Sequence, residues 1–115
     1  MLAQPPSLGR KMTAEKYQIV FEFSGDGPKE FERVTAFETR LEESLRTGVV
    51  DGHDVGGGVV NLFVITTTPD VCVEEVMGSI APAKLPLSAA AYRKQSSDKY
   101  VRVWPENDPS SFFLK

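Results

Sequence analysis

Hydrophobic and polar positions alternate most cleanly at the start of the ordered pattern. Tyr17, Ile19, Phe21 and Phe23 fall on one side of an extended chain, with Gln18, Val20, Glu22 and Ser24 on the other. This predicts a first strand with one strongly apolar face. Gly25-Asp26-Gly27-Pro28 breaks the pattern and reads as a helix start, with Gly27 at the cap and Pro28 first, where a missing N–H costs nothing. Asp26 and Glu30 add negative charge at the positive end of the helix dipole. Phe31, Val34, Phe37, Leu41 and Leu45 then recur every three or four residues, one stripe turned to a core. Glu30, Glu32, Arg33, Glu38, Arg40, Glu42 and Glu43 read as the solvated remainder, and the helix is expected to run to about Thr47 and stop at Gly48.

The stretch from Val49 to Asp70 is rich in valine and threonine and interrupted by Gly56-Gly57-Gly58, which predicts two strands joined by a glycine hairpin. The second of them, Val59–Thr67, is apolar on both sides, with Val59, Phe63 and Ile65 on one and Val60, Leu62 and Val64 on the other. Such a strand belongs inside a sheet covered on both faces. Thr68 as cap and Pro69 as first residue open a second helix. Val73, Val76, Met77 and Ile80 form its buried stripe, Cys72 lies on the same side, and Gly78 and Pro82 keep it short. Leu87–Lys94 reads as a strand, Gln95–Asp98 as a turn, and Tyr100–Trp104 as a last strand before Pro105.

The order strand, helix, strand, strand, helix, strand is the split β-α-β arrangement called ferredoxin-like. The expected fold class is therefore α+β: a ferredoxin-like βαββαβ sandwich with an added C-terminal strand, its antiparallel sheet carrying two helices on one face. Right-handed crossovers place the first and third strands centrally, and these are the two most apolar strands. Residues 1–15 are expected to be a flexible N-terminal arm, with Met12 a second candidate start. Residues 16–105 form the domain, and 106–115 a tail whose Phe112, Phe113 and Leu114 are expected to dock on the body. The third strand's second face also needs a cover, for which a second copy of the chain, this tail, a partner protein or an apolar ligand are the candidates.

Composition narrows the function classes. The 115 residues are 41% hydrophobic and 25% charged with a net charge of -3, which argues against nucleic-acid binding through bulk positive charge. The longest apolar run, Val59–Ile65, is broken by Asn61 and far short of a bilayer span, so no membrane is expected. Pro5 and Pro6 interrupt any signal-peptide core, and Cys72 alone can form no internal disulfide or cysteine-based zinc site, which together suggest a cytoplasmic protein. The net charge hides an asymmetry. Between Gly48 and Ala83 there is no Lys or Arg, against Asp51, Asp54, Asp70, Glu74 and Glu75, a local charge of -5. Between Lys84 and Trp104 the local charge is +4, from Lys84, Arg93, Lys94, Lys99 and Arg102 against Asp98. One sheet edge is therefore expected to be acidic and the other basic.

The segment Asp51-Gly52-His53-Asp54-Val55-Gly56-Gly57-Gly58 is the one stretch dense in both polar chemistry and glycine. On a regular strand Asp51 and His53 share a side and Asp54 takes the other, so Asp51 can orient His53 as a base or pH-sensitive contact. A structural hairpin whose glycines supply unusual backbone angles explains the same residues. Asp51, His53, Asp54, Asn61 and Asp26 are the candidate binding residues. No catalytic residue, metal or cofactor is assigned, and Cys72 reads as core rather than nucleophile. Tyr92, Tyr100 and Trp104 with Arg93 and Arg102, together with Phe63, form a candidate partner surface.

This glycine-rich segment with Asn61, followed by a Pro-initiated helix and later by AYR and YVRVWP, resembles small bacterial stand-alone ferredoxin-like proteins of unassigned function. The likeness spans Tyr17 to Pro105 and implies the fold and a bacterial source but no catalytic residues. The Gly25-Asp26-Gly27-Pro28 junction is similar to the one through which ACT domains bind amino acids. The first expectation is a small non-catalytic interaction module, a homo-oligomer (dimer) or binder of a protein partner through its open sheet face or edges. An ACT-like amino-acid regulator and an immunity-type inhibitor are alternatives. An enzyme using His53 with Asp51 comes last.

Overall fold

Seven elements follow one another in a computed structural model, which describes residues 14–106 and 111–114. They are β1 (Tyr17–Ser24), α1 (Pro28–Ser44), β2 (Val49–Gly56), β3 (Val59–Thr66), α2 (Pro69–Ala83), β4 (Leu87–Lys94) and β5 (Val101–Trp104). The strands form one sheet in the order β2-β3-β1-β4-β5, every neighbouring pair antiparallel. The fold is α+β, compatible with the ferredoxin-like expectation. The expected N-terminal arm falls mostly outside the described residues, as does the second candidate start at Met12.

Strand alternation sorts the side chains as their periodicity requires. Ile19, Phe21 and Phe23 of β1 and Val60, Leu62 and Val64 of β3 pack with Val34, Phe37 and Leu41 of α1 and Cys72, Val76 and Ile80 of α2 in one core. Both helices therefore lie on the same face of the sheet. The opposite face carries a second, smaller cluster of Val20, Ala89, Ala91 and Phe112, flanked by Phe63 and Tyr100. The face expected to stand open is thus partly covered by the chain's own C-terminal segment. Phe112 is 6% exposed whereas Phe113 is 77% exposed, so the tail docks through one aromatic ring. Tyr100 meets that ring edge-on at 5.2 Å and the Arg102 guanidinium lies over it at 5.6 Å. Arg102 Nη2 also donates to the carbonyl of Ser111.

Two element ends depart from expectation. Helix α1 stops at Ser44, three residues earlier than Thr47, and its cap, Leu45, is extended. Gly48 does not end the helix. It lets strand β2 pass close to the core, since a Cβ there would lie 2.8 Å from the Ile65 carbonyl oxygen and 2.9 Å from Cys72 Sγ. At α2, Thr68 takes the N-cap position before Pro69, but its side chain makes no capping hydrogen bond. Its backbone N–H instead donates to Thr66 Oγ1 at 3.0 Å. The other end of α2 is closed from outside, where Arg33 Nη2 of α1 donates to the carbonyls of Ala83 and Lys84 and satisfies acceptors that the helix leaves open.

The β2–β3 hairpin turns on Gly57 and Gly58, both with positive φ (+61° and +84°), as a two-residue turn of the primed type requires. Its tip is tied to the β1–α1 junction: the Gly25 N–H donates to the Gly58 carbonyl at 2.7 Å, and the Gly58 N–H donates to Asp26 Oδ2 at 3.2 Å.

Candidate functional site

The candidate binding residues do not come together: His53 lies on the helix side of the sheet, Asp54 and Asn61 on the other side, and Asp26 at the hairpin tip. His53 faces α1, where its Nδ1 lies 2.7 Å from Glu38 Oε1 and Phe31 meets its ring edge-on at 5.4 Å. Asp51 is not its partner. The β2–β3 register shifts between Val50 and Gly52, and Gly52 has φ +112°, so the simple alternation that would put Asp51 beside His53 is broken here. Glu38, expected on the solvated helix face, is 9% exposed because β2 closes over that flank of α1.

Asp54 takes the other face, as alternation requires, and there it accepts from Asn61 Nδ2 at 3.1 Å. Asn61 sits between Asp54 of β2 and Glu22 of β1 in register. Glu22 in turn accepts from Ser88 Oγ at 2.8 Å. Asn61 and Glu22 are 0% and 5% exposed, and Asn61 Oδ1 has no hydrogen-bond partner among the described residues. This polar row crosses four strands, from the exposed Asp54 of β2 through the buried Asn61 and Glu22 to the half-buried Ser88 of β4. The sequence singles out Asn61 and Asp54 as candidate binding residues but not Glu22 and Ser88, although Glu22 stands out as the acid inside an otherwise apolar strand.

Asp26 is engaged by the hairpin tip. The glycines beside it are enclosed by Glu30: a Cβ at Gly25 would lie 2.9 Å from Glu30 Cγ, and one at Gly27 would lie 2.7 Å from Glu30 Oε1. Glu30 of α1 thus packs against the Gly25–Gly27 backbone of this junction. Among the described residues no cluster of three or more His, Cys, Asp or Glu side chains could hold a metal ion. Among the described residues no helix is long and apolar enough to cross a membrane.

The six residues of the candidate partner surface divide between the two faces. Tyr92 and Trp104 pack on the helix-side core, whereas Phe63 and Tyr100 flank the cluster on the other face. Arg102 lies on the Phe112 side, and a register shift between Ala90 and Ala91 in the β4–β5 pairing separates it from Trp104. Arg93 is committed internally. Its Nε donates to Gln18 Oε1, and its Nη1 donates to the carbonyls of Lys94, Gln95 and Ser97.

Around that arginine the β4–β5 end forms a cleft of about 580 Å³, lined by Tyr17, Tyr92, Arg93, Lys94, Ser96, Ser97, Lys99 and Val101. Burial is the main cause that pushes the Tyr92 phenol above its ordinary range, with the Asp70 carboxylate adding to it. Two further groups are tuned. Burial pushes the Cys72 thiol up, against weaker hydrogen-bond contributions from Thr47 and Thr66. Glu75 is held below the usual carboxylate range, chiefly by the Thr47 hydroxyl at 2.6 Å and then by the backbone N–H groups of Arg46 and Thr47. It ties the α1–β2 connection to α2.

At the acidic end of the sheet, β2 pairs only with β3 and leaves its outer edge unpaired by any described strand. Val49 and Val55 on this edge are 70% and 48% exposed. Scanned against protein-family models, curated proteins and solved structures, the chain matches none.

Proposed function

We propose that the chain is a small non-catalytic interaction module of ferredoxin-like topology that self-associates edge to edge. The order β2-β3-β1-β4 with both helices on one face supports that topology, with β5 as an addition beside β4. The observation that carries the interaction reading is the unpaired outer edge of β2 with its exposed Val49 and Val55. A strand edge of this kind is a template for a further strand. The second sheet face is the weaker candidate, because Phe112 already occupies part of it.

Charge selects the partner edge. A two-fold pairing of β2 with itself about Gly52 and His53 would set Asp51 opposite Asp54 of the other copy, and like charges directly opposite are destabilising. The β5 edge carries Lys99 and Arg102 beside Lys94 at the end of β4. The acidic edge of one copy therefore fits the basic edge of the next, a heterologous contact that builds short open chains. Light scattering across a concentration series tests this. The expected mass rises with concentration and falls with added salt, and Val55→Lys keeps the chain monomeric. A strict monomer at every concentration, or a closed dimer indifferent to salt, would overturn it.

A further inference from the structure

The cleft at the β4–β5 end is built rather than incidental, and its chemistry is one-sided. The 95–99 connection is held from within by Arg93, whose Nη1 gathers three carbonyls. The Ser97 N–H donates to the Lys94 carbonyl at 3.0 Å, the Gln95 N–H to the Lys16 carbonyl at 2.9 Å, and the Lys99 N–H to Ser97 Oγ at 3.1 Å. With these backbone groups satisfied internally, the loop has little freedom left to lose when something binds. The charged lining is cationic throughout: Arg93, Lys94 and Lys99, with no carboxylate among the lining residues. Among the described residues neither lysine makes an ion pair. The acids nearby are Glu15, whose Oε2 accepts from Ser96 Oγ at 3.4 Å, Asp98 next to Lys99, and Asp70, which acts on Tyr92 from α2. One wall is ring surface, Tyr17 and Tyr92 meeting edge-on at 5.6 Å, and Val101 adds an exposed apolar side chain.

We propose that this cleft is a binding site for a small organic phosphate with a planar ring, of the size of a mononucleotide. The volume lies in the range of small-molecule sites. The Lys94 and Lys99 ammonium groups and the Ser97 hydroxyl, which accepts from the Lys99 N–H and keeps its own proton to donate, suit a compact dianion. The one guanidinium that could clamp a carboxylate in two-pronged fashion is spent on the loop, while lysines bind phosphate as point charges. The tyrosine wall takes the ring.

The site does not rest on edge association, and its test is run at a dilution where light scattering gives a monomer. Titration calorimetry with AMP, phenyl phosphate, inorganic phosphate and adenosine is the measurement. AMP is expected to bind saturably, with phenyl phosphate next, inorganic phosphate weaker and adenosine undetectable. The double variant Lys94→Glu, Lys99→Glu is expected to weaken AMP binding at least about tenfold, while Val55→Lys at the far edge leaves it unchanged. An unaltered melting temperature and far-ultraviolet spectrum show that the double variant is folded, and Lys94→Gln alone gives a milder second reading. Equal binding of adenosine and AMP, no response to charge reversal in a folded variant, or no saturation by about 10 mM AMP would each overturn the site.

Discussion

His53 Nδ1 and Glu38 Oε1 stand 2.7 Å apart, joining the edge strand β2 to helix α1 on the helix-covered face of the sheet. The edge strand has covalent continuity with α1 only through the connection at 45–48 and sheet hydrogen bonds on one side only. A side-chain bridge to the helix is therefore a second, independent restraint on it. The side chains are 31% and 12% exposed, so the pair is partly shielded from water, and Phe31 closes over the imidazole.

Glu38→Ala and His53→Ala are each expected to lower stability to urea. Their double-mutant cycle is expected to show a coupling of about 1 kcal/mol, the size of an ordinary hydrogen bond with some charge assistance. Asp51→Ala, in contrast, is expected to leave the His53 contribution unchanged. A coupling of zero between 38 and 53, or a larger one between 51 and 53, would show that the bridge does not hold in solution.

Gly48→Ala is expected to destabilise by about 1–3 kcal/mol, as overpacking does, because the new methyl group meets a backbone oxygen as well as Cys72 Sγ. Adding Cys72→Ala removes the softer of these contacts and is expected to restore part of the loss, though not all. Full tolerance of alanine in chemical denaturation would mean that β2 can retreat from the core.

Cys72 is fully buried and its thiol is pushed up by that burial. At a given pH less of it is thiolate than for an exposed cysteine, so its reaction with a disulfide reagent at pH 8 is expected to be slow. The rate should climb with denaturant as the chain opens. Rapid labelling of the native protein would place the thiol at the surface.

Glu75 carries the pH dependence. A carboxylate whose folded value is depressed adds stability that is fully present above its unfolded value and is lost as the pH falls through the folded one. The stability gap between the wild-type chain and Glu75→Gln is accordingly expected to close in acid, below the usual carboxylate range. Thr47→Val, which removes the largest cause, should move the Glu75 titration measured by NMR back toward the ordinary value. An unmoved titration would assign the effect to the backbone donors alone.

The strands and their order were legible because a period of two and the handedness of crossovers are properties of the chain itself. Tyr17–Ser24 and Val59–Thr66 show this directly. What stayed hidden depended on neighbours. Glu38 sits at the flank of its helical stripe, and only the arrival of β2 makes that flank interior. Asp51 was paired with His53 by an alternation that the irregularity at Gly52 removes, and a positive φ at a glycine leaves no trace in a hydrophobic pattern. The division of Tyr92 from Arg93 between faces was readable from alternation. That of Trp104 from Arg102 was not, because a register shift reverses it.

The central place of β1 sets an order on synthesis. Tyr17 pairs with Thr66 on one side and Lys94 on the other, so the central strand emerges before both of its partners and waits longest for company. Until β3 follows, only α1 is at hand to shelter Phe21 and Phe23, and pairing over such separations is slow. A nascent chain of which only β1 and α1 have left the ribosome would hold a strand–helix fragment with a bare strand on both sides, a form suited to capture by a chaperone.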